Sequence, residues 1–77
     1  MIKFNNEEFN KLDENGVIDF IINNGSIIPY VSPFGQFYVV DLEQKEEVDM
    51  SQKNAKKLFV VLQNYLKNHK NFYSALV

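Results

Sequence analysis

Val17-Ile18-Asp19-Phe20-Ile21-Ile22-Asn23-Asn24-Gly25 is the stretch on which the fold turns. Residues 17–22 are apolar except for Asp19 and run into Asn24-Gly25, the dipeptide favoured in two-residue hairpin turns, so the segment reads as a strand. Ile18, Ile21 and Ile22 also fit a 3.6-residue period, with Gly25 as a C-cap, and that is the helical alternative. The choice separates a four-stranded sheet from a three-stranded one.

Upstream of it, Asn5 reads as an N-cap with Glu8 as its capping-box partner, and Phe4 and Phe9 occupy hydrophobic-staple positions. Asn15-Gly16 reads as the stop, which predicts a short helix over residues 6–14. Downstream, residues 26–31 read as a strand, and Pro29 within them assigns that strand to a sheet edge or a bend. Ser32-Pro33-Phe34-Gly35 is a tight turn, followed by the clearest strand, residues 36–42. After the polar turn Glu43-Gln44-Lys45, residues 46–50 return beside it. Ser51 then caps a long helix whose apolar stripe is Ala55, Leu58, Phe59, Leu62, Tyr65, Leu66, His69, Phe72, Tyr73 and Leu76. The expected fold is a single α+β domain over residues 1–77: a three- or four-stranded antiparallel sheet packed against a long C-terminal helix, with a short N-terminal helix.

The chain has 77 residues, 45% hydrophobic and 14% aromatic, enough apolar content for one folded core and no more. Cysteine is absent, which removes disulfides, thiolate metal sites and thiol nucleophiles. No signal peptide, lipidation motif or run long enough to cross a membrane is present, so a cytoplasmic location without a membrane partner is expected. All eight basic side chains are lysine and asparagine is frequent, the residue choice of an AT-rich gene such as that of a bacterium or its phage.

The net charge of −2 conceals a division. Residues 1–50 carry three lysines against ten acids, a net −7, whereas residues 51–77 carry five lysines and no acid, a net +5. By helical spacing, Lys53, Lys56, Lys57, Lys67 and Lys70 all project away from the apolar stripe of the last helix. Such a face would contact phosphates, with a log-log salt slope of about −4.5 for five neutralised phosphates, although an ordinary solvated helix face accounts for the same residues. The absence of arginine argues against base-specific reading.

Two features suit a protein partner instead. The acidic run Asp41, Glu43, Glu46, Glu47 and Asp49 would meet a basic groove, and it lacks the glycine and twelve-residue ligand pattern of a calcium loop, so no metal site is expected. Phe34 lies at a turn tip flanked by Tyr30, Phe37 and Tyr38, where aromatics anchor interfaces unless they fold back into the core. In the strand over residues 36–42, Tyr38, Val40 and Leu42 share one face while Phe37 and Val39 take the other. Both faces are apolar, and the second must be covered by the first helix, a twin subunit or a partner.

Catalysis has little to work with. His69 is the sole histidine and sits on the apolar stripe, Ser51 is explained as a cap, and Gly16, Gly25 and Gly35 are too far apart to cradle a phosphate. No catalytic residue and no cofactor is expected. The reading is a small non-enzymatic protein-binding regulator or inhibitor, phage or mobile-element encoded and acting on a larger host complex that handles nucleic acid or defence, in the manner of an anti-CRISPR protein. Its binding residues would be Tyr30, Phe34, Phe37, Asp41, Glu43, Glu46, Glu47 and Asp49. The alternatives are a nucleic-acid-binding accessory protein using the lysine face, and a small homodimeric structural subunit.

Overall fold

A computed structural model describes residues 1–68. In chain order the elements are α1 (Asn6–Asn10), α2 (Glu14–Asn23), β1 (Ile27–Val31), β2 (Phe37–Asp41), β3 (Glu46–Glu47) and α3 (Gln52–Asn68). The strands form one antiparallel sheet in the order β1-β2-β3, and α3 lies across it. The architecture is the expected α+β arrangement of a small sheet against a long C-terminal helix.

Residues 17–22 are helix and not strand, and Asn15-Gly16 belongs to the first turn of α2 instead of ending α1. The initiating residue is Asp13, whose carboxylate accepts the Gly16 N–H at 2.9 Å. A Cβ on Gly16 would stand 3.2 Å from the Leu12 Cβ, so the glycine serves a close approach between helical turn and preceding loop. Val17 is fully buried at 0% exposure, and Phe20 and Ile21 pack on the same core, the i, i+3, i+4 stripe of a half-buried helix. Burial of that stripe outweighs the strand preference of Val17, Ile18, Ile21 and Ile22. Asn24 then closes the helix, its side-chain amide donating to the Phe20 carbonyl at 2.9 Å, so Asn24-Gly25 is a helix exit and not a hairpin.

α1 ends earlier than residue 14 but starts as expected: the Asn5 side chain accepts the Glu8 N–H. The Phe4 and Phe9 rings meet at 5.6 Å between centroids, and Phe20 of α2 completes an edge-to-face triangle with them at 5.8 and 5.2 Å. Beneath these rings, Val17, Val39, Val48, Met50, Ala55 and Leu58 form the remaining core.

In the sheet, Pro29 pairs with Val39 and Tyr30 with Tyr38. Alternation turns Pro29, Val39 and Phe37 toward the helices, with Phe37 against Phe59 of α3 at 5.5 Å. β3 is only two residues long, and beyond it the Gln52 side chain takes its place, accepting the Phe37 N–H at 2.8 Å and donating to the Phe37 carbonyl at 2.6 Å. The outer edge of β3 is covered by the N-terminal segment: the Ile2 N–H donates to the Glu47 carbonyl and the Asp49 N–H to the Ile2 carbonyl, each at 2.8 Å. Ser51 caps α3 as expected, its hydroxyl accepting the Asn54 N–H at 3.2 Å. The proposed stripe residues His69, Phe72, Tyr73 and Leu76 lie outside the described residues.

Candidate functional site

Two surfaces compete for a functional reading, the outer face of the sheet and the outer face of α3. The sheet face is built by period-two alternation: Ile28 and Tyr30 of β1 stand beside Tyr38 and Val40 of β2, all turned away from the helices. The Tyr30 and Tyr38 rings stack at 5.4 Å with an interplanar angle of 24°, and Tyr30 remains 44% exposed. The Tyr38 hydroxyl donates to Gln36 Oε1 at 2.6 Å, which fixes one ring of the pair. Across the ladder Glu47 faces Val40, bringing a half-buried carboxylate onto the same side. No described element covers this face; α1 packs on α3 instead.

At the end of the β1-β2 hairpin, Phe34 is 91% exposed. The turn holds it there. Ser32 accepts the Phe34 and Gln36 N–H groups on its hydroxyl, each at 3.2 Å, and the Gly35 N–H on its carbonyl at 3.0 Å. Gly35 sits at φ +82°, a conformation that a side chain would strain.

The remaining predicted site residues are dispersed. Phe37 belongs to the inner face and is half-buried against Phe59, so it is not part of the aromatic tip. Asp41 is 7% exposed and accepts the Glu43 and Gln44 N–H groups at 3.0 and 3.3 Å, which makes it the anchor of the turn leading to β3. Glu46 accepts from the Met1 amine at 2.8 Å. That hydrogen bond and the Glu46 charge hold the amine above its ordinary value, with Glu47 and Asp49 adding to the effect. Glu43 and Asp49 are exposed.

On α3, Lys53, Lys56 and Lys67 are exposed as expected, and Lys70 lies outside the described residues. Lys57 departs from the expected face. Its ammonium turns inward to the end of α1, donating to the carbonyls of Phe9, Asn10 and Leu12, and lies 5.6 Å from the centre of the Phe9 ring. A cation at a helix C-terminus satisfies carbonyls that the helix leaves open, so Lys57 is spent on the fold.

The sequence reading also missed an apolar cavity of about 660 Å³ at the free edge of β1, bounded by Ile21 and Ile22 of α2, Ile28 and Pro29 of β1, and Leu62 and Leu66 of α3. It was hidden because it requires α2 to be a helix.

Among the described residues no group of three His, Cys, Asp or Glu side chains is placed to hold a metal ion, and no helix is long and apolar enough to cross a membrane. No family model, curated protein or solved structure matches the chain.

Proposed function

We propose that the chain is a small non-enzymatic regulator that acts by binding a larger protein through the outer face of its sheet. The observation that carries this reading is the stacked Tyr30-Tyr38 pair, set between Ile28 and Val40 on a face that no described element covers and continued by the outward Phe34. Exposed aromatics on a rigid support are the side chains that dominate protein interfaces, because they bury much area for little loss of conformational freedom.

The edge of the sheet supports binding by this face in preference to strand addition. The Leu42 N–H donates to the Ser26 carbonyl and the Ser32 N–H to the Gln36 carbonyl, so alternation turns the backbone groups of Ile27, Pro29 and Val31 away from β2. Of those three, Pro29 has no N–H and the Ile27 N–H is already given to Asn24. A partner strand would find one donor, at Val31.

The partner class proposed with this reading is a host complex that handles nucleic acid or defence, blocked by a phage-encoded inhibitor of the anti-CRISPR kind; size and lysine- and asparagine-rich composition motivate it. The lysine-face alternative loses one of its cations to α1, leaving Lys53, Lys56 and Lys67 among the described residues. Affinity capture from bacterial extract distinguishes the readings. A partner retained by the wild type and by Lys53→Glu/Lys56→Glu, but lost by a folded Tyr30→Ser/Phe34→Ser variant, supports the sheet face. Loss on lysine reversal alone, with nucleic acid recovered, would replace it with the alternative.

A further inference from the structure

We infer that the occupant of the Tyr30-Tyr38 face is an arginine-bearing basic surface of a partner protein; this rests on the protein-binding reading above and specifies the chemistry of the partner. The face combines two elements that together select a guanidinium. One is the stacked tyrosine pair, whose exposed ring presents a π surface on which a planar cation can lie. The other is a carboxylate on the same face, across β2 from Tyr30 and two residues along the ladder from Tyr38. Glu47 stands opposite Val40 on the same side of the sheet, Glu43 lies in the β2-β3 turn, and Asp49 follows β3, the last two exposed.

These carboxylates are not used internally. Asp41 is taken up by the turn and Glu46 by the Met1 amine, which is the single ion pair among the described residues. Among the described residues the Glu43, Glu47 and Asp49 carboxylates make no hydrogen bond or ion pair of their own and project a negative field, reduced by the Met1 ammonium, which Glu47 and Asp49 also act on, and by Lys45 in the turn. Lys53, Lys56 and Lys67, the exposed lysines of α3 among the described residues, pair with none of them.

Charge selects among occupants. A second copy docking by the same face would set Glu47 and its neighbours against themselves, and a nucleic acid would bring phosphates to the same carboxylates; both meet like charge. A basic protein surface meets opposite charge. Within that class arginine fits better than lysine, because guanidinium stacks on an aromatic ring while its donor fork engages a carboxylate, whereas an ammonium is a strongly hydrated point charge.

Octa-arginine, octa-lysine and octa-glutamate, each titrated into the full-length protein under NMR observation of the tyrosine ring resonances, test this. Octa-arginine is expected to shift Tyr30 and Tyr38 and to bind about tenfold more tightly than octa-lysine, with octa-glutamate inert. Tyr30→Leu should abolish the preference for arginine while leaving salt-dependent binding, and Glu43→Lys/Glu47→Lys should weaken both basic peptides at least tenfold. Equal affinity for the two basic peptides, shifts confined to other residues, or a dimer mass in light scattering that Tyr30→Leu returns to monomer would each overturn the inference. If a captured partner is lost on Tyr30→Ser/Phe34→Ser yet insensitive to Glu43→Lys/Glu47→Lys, the protein-binding reading stands and only the arginine assignment fails.

Discussion

Lys57 illustrates how far a single side chain can depart from its position on a helical wheel. Spacing assigns it to the solvated face with Lys53 and Lys56, yet a long flexible stem lets its ammonium reach carbonyls at and just beyond the end of α1. Those carbonyls are 45 to 48 residues away in sequence, so no local rule announces the contact. Replacement by methionine keeps the stem and removes the donors; Lys57→Met is expected to destabilise the fold by about 1–3 kcal/mol in urea denaturation. Lys53→Met, whose parent is exposed and makes no hydrogen bond or ion pair among the described residues, should stay within about 0.5 kcal/mol. Equal effects would mean that the inward ammonium contributes nothing. Asn54 plays a similar linking role: only 1% exposed, it donates to the Asn6 carbonyl at 3.0 Å and to Asn6 Oδ1 at 3.1 Å, while that same Oδ1 accepts the Ser51 N–H at 2.8 Å. Asn54→Ala leaves buried acceptors with fewer donors and is expected to cost about 1–3 kcal/mol, read as a lower midpoint at unchanged slope. A midpoint within error of wild type would assign the clamp no net value.

The elements divide by how local their signals are. The start of α1, the Ser32-Gly35 turn, β2 and the start of α3 were legible, because each is written in caps, turn residues or alternation within four or five residues. α2 was not, because a short apolar run satisfies both periods and only its burial against Phe4, Phe9 and α3 chooses one. With it went the cavity that α2 helps to enclose. β1 was recognised, edge position included, and its proline does more than tolerate that position. By standing where the backbone faces outward, Pro29 withholds a donor from any incoming strand. Pro29→Val restores that donor on an apolar edge, and the expected outcome is self-association at micromolar concentration in light scattering. A variant that stays monomeric under those conditions would show that the edge is protected by something else. Gln52 substitutes for the missing part of β3 through both of its side-chain bonds to Phe37, and Gln52→Ala is expected to lower stability by about 1–2 kcal/mol in the same urea assay. An unchanged midpoint would show that water replaces the glutamine without penalty.

For the molecule as a whole, the divided charge is carried as two separate fields. Among the described residues no ion pair joins the sheet half to the helix half: the single pair joins Glu46 to the Met1 amine, both within the acidic half. Beyond that pair like charges are close in sequence, with Lys53 and Lys56 three residues apart on α3 and Glu43, Glu46, Glu47 and Asp49 within seven residues in and after the β2-β3 turn. Salt screens over about 8 Å at physiological strength and therefore relieves repulsion before it weakens attraction between the halves. Raising sodium chloride from low to 0.5 M is expected to increase stability by about 1 kcal/mol; a decrease would reveal attractive pairs that matter more than the crowding.

The sequence by itself determined the fold class, the Ser32-Gly35 turn, the caps at Asn5 and Ser51 and the division of charge, since these depend on backbone preferences and hydrogen bonds between near neighbours. It placed Phe34 at a turn tip beside Tyr30 but left open whether these rings fold back, which the structure answers with both exposed. Tertiary structure decided the rest. It made residues 17–22 helical by burying one stripe, sent Phe37 inward, engaged Asp41 and Glu46 within the fold, and drew Lys57 away from the lysine face. Apart from Asp41, whose partners are two and three residues on, each of those outcomes is set by a partner distant in the chain or by burial against another element, and neither exists until the whole chain has folded.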